Sequence, residues 1–146
     1  MADKDPIASF SFYVEVQGKL VGRFQEVSGL GSESEVIDYK ASDKGGAELI
    51  HKVPGRLKWT DVVLKRGITD DMDIWDWRRE IEEGKVEGAR RNGSIVMYGQ
   101  DNKEVARWNF VNGWPSKVSG PSLSAKTNEI GIEELTIVHE GLKRAK

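Results

Sequence analysis

The chain has 146 residues, about one domain by length, with 22 Lys and Arg against 24 Asp and Glu and a net charge of −2. At 38% apolar and 32% charged, with 16 Gly and 5 Trp, it is too aromatic and unrepetitive for a disordered or fibrous class, and it lacks the basic surplus of a phosphate-driven nucleic-acid binder. It contains no Cys, which excludes a disulfide framework, a thiolate nucleophile and a Cys-built zinc site; no long apolar run or basic-then-apolar leader occurs, so no membrane insertion is expected.

From Ser9 to Gln17, Phe10, Phe12, Val14 and Val16 alternate with Ser11, Tyr13 and Glu15, the period of a strand with one buried face. Gly18 turns the chain into a second strand, Leu20 to Val27, and Gly29-Leu30-Gly31 ends the hairpin. A third extended segment spans Glu33 to Lys40. The polar, Gly-rich residues that follow, with Pro54-Gly55, predict a long loop at about 41–56, which by its length is functional or reaches a partner, the alternative being a mobile surface loop. Leu57 to Lys65 reads as the next strand.

A helix is expected at about residues 70–83, because Ile74, Trp77 and Ile81 make one apolar stripe and Gly84 supplies a left-handed stop. Thr69 or Asp70 is placed to cap it, and Asp70, Asp71 and Asp73 suit its positive end. A second hairpin follows, Ser94–Tyr98 with Glu104–Val111, before Asn112-Gly113-Trp114-Pro115 and Gly120-Pro121 break the pattern. In Asn128 to His139 the apolar phase shifts between Ile132 and Leu135, which predicts a bulge near Glu133-Glu134. Residues 142–146 read as a basic, frayed tail. The expected fold is mainly β, a small barrel or sandwich with one helix, in a single domain over 1–146.

Chemistry-bearing patterns are sparse. His51 and His139 have no second ligand at metal-binding spacing, and the acids at 70–73 lack the Gly and Glu of a calcium loop, with Trp75 and Ile81 standing there instead. There is no G-x-S-x-G, P-loop or dinucleotide fingerprint. Glu82-Glu83 and Glu133-Glu134 read as solvated or intersubunit charge, since neighbours diverge on a helix or point to opposite faces of a strand. Arg78-Arg79 and Arg90-Arg91 sit among acids and periodic tryptophans, which packing explains better than base stacking. The chain is therefore expected to be no enzyme and to need no cofactor or metal.

Several short motifs, in order, carry a resemblance. Val27-Ser28-Gly29-Leu30, Glu33-x-Glu35-Val36, Tyr39 and Val53-Pro54-Gly55 lead to Leu64-Lys65-Arg66-Gly67-Ile68-Thr69 and Trp75-Asp76-Trp77. Trp108-x-Phe110, Trp114-Pro115-x-Lys117, Gly120-Pro121, Asn128-Glu129, Ile132-Glu133-x-Leu135 and His139-Glu140-Gly141-Leu142 continue the series to the end of the chain. Together they resemble the tail tube, or inner tube, proteins of contractile phage tails and of extracellular contractile injection systems.

That resemblance implies a structural subunit whose hexameric rings stack into a hollow tube, driven by a contractile sheath and conducting cargo into a target cell. The implied partners are other copies of the chain, the sheath, baseplate and spike proteins, a tape-measure protein and a protein or DNA cargo. Assembly is expected in the cytoplasm of the producing cell, as part of a phage-tail-like particle or virion tail that is released in some systems. A phage tube conducting DNA and a secreted tube of the type VI kind are the alternatives within the same architecture. The loop from Ala41 to Lys52 is expected to contact the next ring, through Ser42, Asp43, Lys44, Gly45, Gly46, Glu48, His51 and Lys52, and to order only there. Ser11, Tyr13 and Glu15 are candidates for the lumen face or, equally, for the face toward the sheath.

Overall fold

The first strand follows its sequence period: Val14 and Val16 are buried, while Ser11, Tyr13 and Glu15 lie on the opposite face. In the computed structural model, which describes residues 10–17, 19–42, 44–121 and 131–146, the elements run β1 Ser11–Val16, β2 Lys19–Phe24, β3 Glu26–Ser28, β4 Ser32–Ser42, β5 Glu48–Trp59, β6 Val62–Gly67, α1 Asp73–Glu82, α2 Val86–Ala89, β7 Arg91–Tyr98, β8 Glu104–Ser119, β9 Ile132–Val138 and β10 Gly141–Arg144. The expectations for Ser9, Gly18, Asp43 and residues 128–130 fall outside the described residues.

The main sheet is ordered β2-β1-β7-β8-β9-β6-β3, with β10 also on β8. Its two end strands, β2 and β3, are consecutive pieces of one chain separated only by Gln25, whose N–H bonds Lys65 O at 2.9 Å. The sheet therefore curls until its ends meet at that corner. The expected single strand Leu20–Val27 is thus two, one pairing with β1 and one with β6. The expected Leu57–Lys65 strand likewise divides between β5 and β6.

Strand β8 is the spine. Its first half pairs with β7 and its second half with β9, so Trp114-Pro115 continues the strand rather than ending it. At the exchange, Asn112 has φ +50, and a Cβ on Gly113 would lie 2.3 Å from the Phe110 ring, so only glycine fits there. Strand β10 pairs with Trp108–Val111, so residues 141–144 are a sheet strand and not a frayed tail.

The predicted bulge near Glu133-Glu134 is absent. Strand β9 pairs with β6 in unbroken register from Val62↔Ile137 to Gly67↔Ile132, and the irregularity lies across the ladder in β8, between Pro115 and Lys117. Ile132 is exposed, and the inward face is Glu133, Leu135 and Ile137. The apparent shift in phase is a charged residue standing at a core position.

Helix α1 closes the open side of the curl with Ile74 and Trp77, both buried, against a core of Val14, Phe24, Leu64, Ile95, Phe110, Leu135 and Ile137. Each such side chain contributes about 1.5–3 kcal/mol by leaving water. The Trp77 indole N–H donates to Ala89 O at 2.8 Å, which ties α1 to α2, a second short helix that the sequence pattern did not show. Gly84 ends α1 as expected, at φ +83, with its N–H on Ile81 O and the Lys85 N–H on Glu80 O, the paired bonds of a Schellman stop. The start differs from expectation. Thr69 Oγ1 accepts from the Asp71 N–H and Asp71 Oδ1 from the Asp73 N–H, while Met72 at the cap position offers no side-chain bond.

Candidate assembly surfaces

The expected loop at 41–56 is a paired structure. Strands β4 and β5 form their own two-stranded sheet, from Ser32↔Trp59 to Ser42↔Glu48, with one irregularity between Ser34 and Val36. Eleven residues of β4 make an arm about 35 Å long. Its backbone groups are laddered to one another within the chain. The sequence concealed this because neither strand buries a face in its own chain, and polar, apolar and Gly residues are therefore mixed without a period.

Pairing decides which residues share a face. One side carries Ile37/Val53, Tyr39/His51 and Ala41/Leu49. The other carries the ion pair Lys52–Asp38 at 2.8 Å and Lys40–Glu48 at 3.8 Å, with Ile50 and Val36. Seven large apolar side chains of the arm are exposed, namely Val36, Ile37, Tyr39, Leu49, Ile50, Val53 and Leu57. Exposure of so many on one projecting element marks a contact surface.

Of the residues expected to make contacts, Ser42 and Glu48 close the ladder, Lys44, Gly45 and Gly46 form the tip, and Lys52 and His51 lie on opposite faces of β5. Asp43 is outside the described residues. The apolar residues Ile37, Leu49 and Val53 are not among those expected contacts, and they stand exposed on the same arm among the described residues.

The arm leaves the barrel at a rigid root. Thr60 N–H bonds Gly31 O, and Gly29, at φ +85, packs so closely that a Cβ there would lie 1.9 Å from Asp61 O. Trp59, the last residue of β5, packs on His139 with ring centres 5.8 Å apart, and Phe110 approaches the same imidazole at 6.4 Å. Both ring nitrogens of His139 are buried without a hydrogen-bond partner among the described residues. Burial holds this imidazole below its ordinary value of 6.5, opposed by the nearby backbone of Thr60 and Gly141 and by the Asp61 carboxylate.

A depressed histidine means that the unfolded chain binds the proton more readily, so His139 contributes stability that is complete above 6.5 and is lost as pH falls below it. Urea midpoints measured at about pH 7.5 and about pH 5.5 should fall with acid, and His139→Gln should shrink that difference.

The second surface is the outer face of β1, β7 and β8. Ser11 Oγ accepts from Arg23 at 2.9 Å, and the Arg23 guanidinium also lies 5.9 Å from the Tyr13 ring centre. Tyr13 meets Tyr98 edge to face at 5.0 Å. Arg107 donates to Glu15 at 3.0 Å and to Glu104 at 2.7 Å. Hydrogen bonding to Arg107 holds the Glu104 carboxyl below the usual range, and the same bonds raise the guanidinium. Beneath them Val96, opposite Tyr13 and Arg107 in the ladder, is fully buried. The structure thus brings Ser11, Tyr13 and Glu15 together on one face, where Arg107 takes both carboxylates and Arg23 is held by Ser11 and the Tyr13 ring.

Glu133 is not a solvated or intersubunit charge as expected. It is 4% exposed and accepts from Arg66 at 3.1 Å and from the Trp75 indole at 3.3 Å. Arg66, 2% exposed, donates onward to Asp71 O and lies over the Phe24 ring. His51 and His139 lie at the arm and at its root, and no group of metal-ligating side chains occurs among the described residues. No helix among them is long and apolar enough to cross a membrane.

This architecture has known counterparts. The chain is similar over 97% of its length, and 93% of the other chain, to a structure of an extracellular contractile injection system, the PVC sheath-tube complex in its extended state, at 26% identity and a TM-score of 0.74. It shares a fold with a chain of the anti-feeding prophage cap, at 24% identity, TM-score 0.75 and coverage of 100% and 95%. It also shares one with Hcp1 from Flavobacterium johnsoniae, at 14% identity, TM-score 0.54 and coverage of 92% and 94%. No curated protein matches it by sequence. Residues 8–143 match the model of the T4-like virus tail tube protein gp19 family, and a match over nearly the whole chain makes this protein a member of that family of structural tube proteins.

Proposed function

We propose that this tube subunit forms hexameric rings that stack into the inner tube of a contractile injection particle, enclosed by a sheath, anchored on a baseplate and spike, and measured in length by a tape-measure protein. The observation that carries the reading is the β4–β5 arm, whose seven large apolar side chains are exposed among the described residues. Contacts through the arm, from Ile37 and Tyr39 to the tip at Lys44–Gly46, join subunits. The role is structural and not catalytic, and Glu133, a buried carboxylate, is held by Arg66 and Trp75 inside the barrel.

The face of Ser11, Tyr13 and Glu15 lines the lumen. Arg107 is neutralised at close range by both Glu15 and Glu104, while Arg23 bonds Ser11 and lies by the Tyr13 ring, so two cations and two anions share a face of low net charge that does not hold a passing chain of either sign. Protein cargo of mixed charge suits such a bore as well as DNA does. The particle assembles in the producing cell and acts after release.

Negative-stain electron microscopy of the purified protein at high concentration tests the reading. Six-fold rings with an open centre and stacked tubes are expected, and Ile37→Lys is expected to lose the tubes with its circular dichroism unchanged. A monomer at every concentration, or tubes that survive Ile37→Lys, would sink the arm-mediated assembly.

A further inference from the structure

One imidazole joins the arm to the barrel. His139 stands in the link between β9 and β10, with Trp59 of β5 on one side at 5.8 Å and Phe110 of β8 on the other at 6.4 Å between ring centres. The two walls differ. Phe110 is 1% exposed and belongs to the strand that pairs with β7, β9 and β10, so it is fixed in the core. Trp59 ends a strand of the separate two-stranded sheet, whose root is closed by the Thr60 N–H on Gly31 O at 3.2 Å. Gly141, at the start of β10, lies against the same indole, 4.0 Å from where a Cβ would stand.

Neutral, the ring packs as one more aromatic. Protonated, it brings two N–H donors and a charge into a place where both nitrogens are buried without a hydrogen-bond partner among the described residues. The surrounding groups offer little in return. The carboxylate that acts on it is Asp61, on the link from β5 to β6, and that residue is exposed to water, which screens it. Thr60 and Gly141 present backbone, Trp59 and Phe110 carry no charge, and Glu140, the chain neighbour, is taken by the Asn112 amide. An imidazolium must therefore reach water, and the wall that can yield is Trp59. Resting on the tube reading above, we infer that His139 is a proton-operated latch at the arm root: the neutral ring holds Trp59 and the arm in the direction that assembly uses, and protonation releases them, so that mildly acidic surroundings withhold assembly. The released arm leaves the imidazole at its ordinary value of 6.5 and the latched arm holds it lower, so the latched state is fully favoured above 6.5 and loses up to about tenfold per pH unit beneath it. Assembly, which fixes the latched arm, and loss of the proton favour one another by the same factor.

Sedimentation of tubes between about pH 8 and about pH 5 reads the latch. The critical concentration of the wild-type chain is expected to stay flat above about 6.5 and to rise by up to about tenfold per pH unit below it, the slope of one proton per subunit. His139→Phe, which keeps an aromatic ring and cannot take a proton, is expected to show no such slope. The other imidazole, His51, lies on the arm, and His51→Gln is expected to keep the slope. An unchanged slope in His139→Phe, a slope that disappears in His51→Gln, or wild-type tubes indifferent to acid would each overturn the latch. Hydrogen exchange of the wild-type chain below its assembly concentration, compared at about pH 7.5 and about pH 5.5 after correction for the intrinsic rate, tests it without tubes or variants. Peptides covering the arm root around Thr60 are expected to lose about tenfold in protection in acid, with those of β7 and β8 unchanged. Equal protection at the root, or protection lost across the whole barrel, would overturn the latch. Absence of tubes at every pH would instead sink the tube reading, with the exchange result left to decide the latch on its own.

Discussion

Replacing Glu133 by Ala is expected to destabilise the protein by about 3 kcal/mol, measured by urea unfolding, because it leaves the buried Arg66 guanidinium with only the longer, partly exposed ion pair to Asp71 at 3.7 Å. Arg66 holds four parts of the structure at once: β9 through Glu133, the segment before α1 through Asp71 O at 2.9 Å, β2 through the Phe24 ring, and its own strand β6. The carboxylate also accepts from Trp75, so its loss orphans an indole N–H as well. Arg66→Met/Glu133→Leu is expected to recover most of the loss, since an apolar pair of similar volume carries no desolvation cost. If Glu133→Ala alone were nearly silent, water would be solvating the guanidinium and the site would be wetter than its burial indicates.

Gly29→Ala is expected to be the most damaging change at the arm root. The left-handed φ of +85 alone costs a non-glycine residue about 1–2 kcal/mol. The added Cβ would also lie 1.9 Å from Asp61 O, a backbone atom that cannot rotate away, so the cost exceeds that figure. The root must open, and the direction of the arm changes with it. Assembly should therefore fail at concentrations where the unfolding midpoint still reports a folded chain, which electron microscopy and urea titration of the same sample would separate. Unaltered tubes from Gly29→Ala would mean that the arm's direction is set by its neighbour and not by its root. Gly31, which has open space around it, is the control: Gly31→Ala should change little.

Both predictions concern positions that stand in motifs of the resemblance but whose physical role is not legible along the chain. Glu133 read as half of an acidic pair, because the partner that draws it inward, Arg66, is sixty-seven residues away. Gly29 read as the end of a hairpin, since the carbonyl it must clear belongs to a residue on the far side of the arm.

The sequence by itself determined the elements whose signal is local. The alternation of Phe12, Val14 and Val16, the stripe of Ile74, Trp77 and Ile81 with its stop at Gly84, and the hairpin of β7 and β8 all follow from burial at a fixed period in one segment. The motifs from Val27 to Leu142 carried the family. Tertiary structure decided the remainder. Which strand pairs with which depends on residues far apart, so the corner at Gln25, the change of partner along β8 and the addition of β10 leave no trace in any short window. The arm is the extreme case: hydrophobic periodicity records what a chain buries in itself, and beyond Trp59 at its root the large apolar side chains of β4 and β5 stay exposed among the described residues. Seven exposed apolar residues on a paired ribbon appear as a surface only once the ribbon is folded.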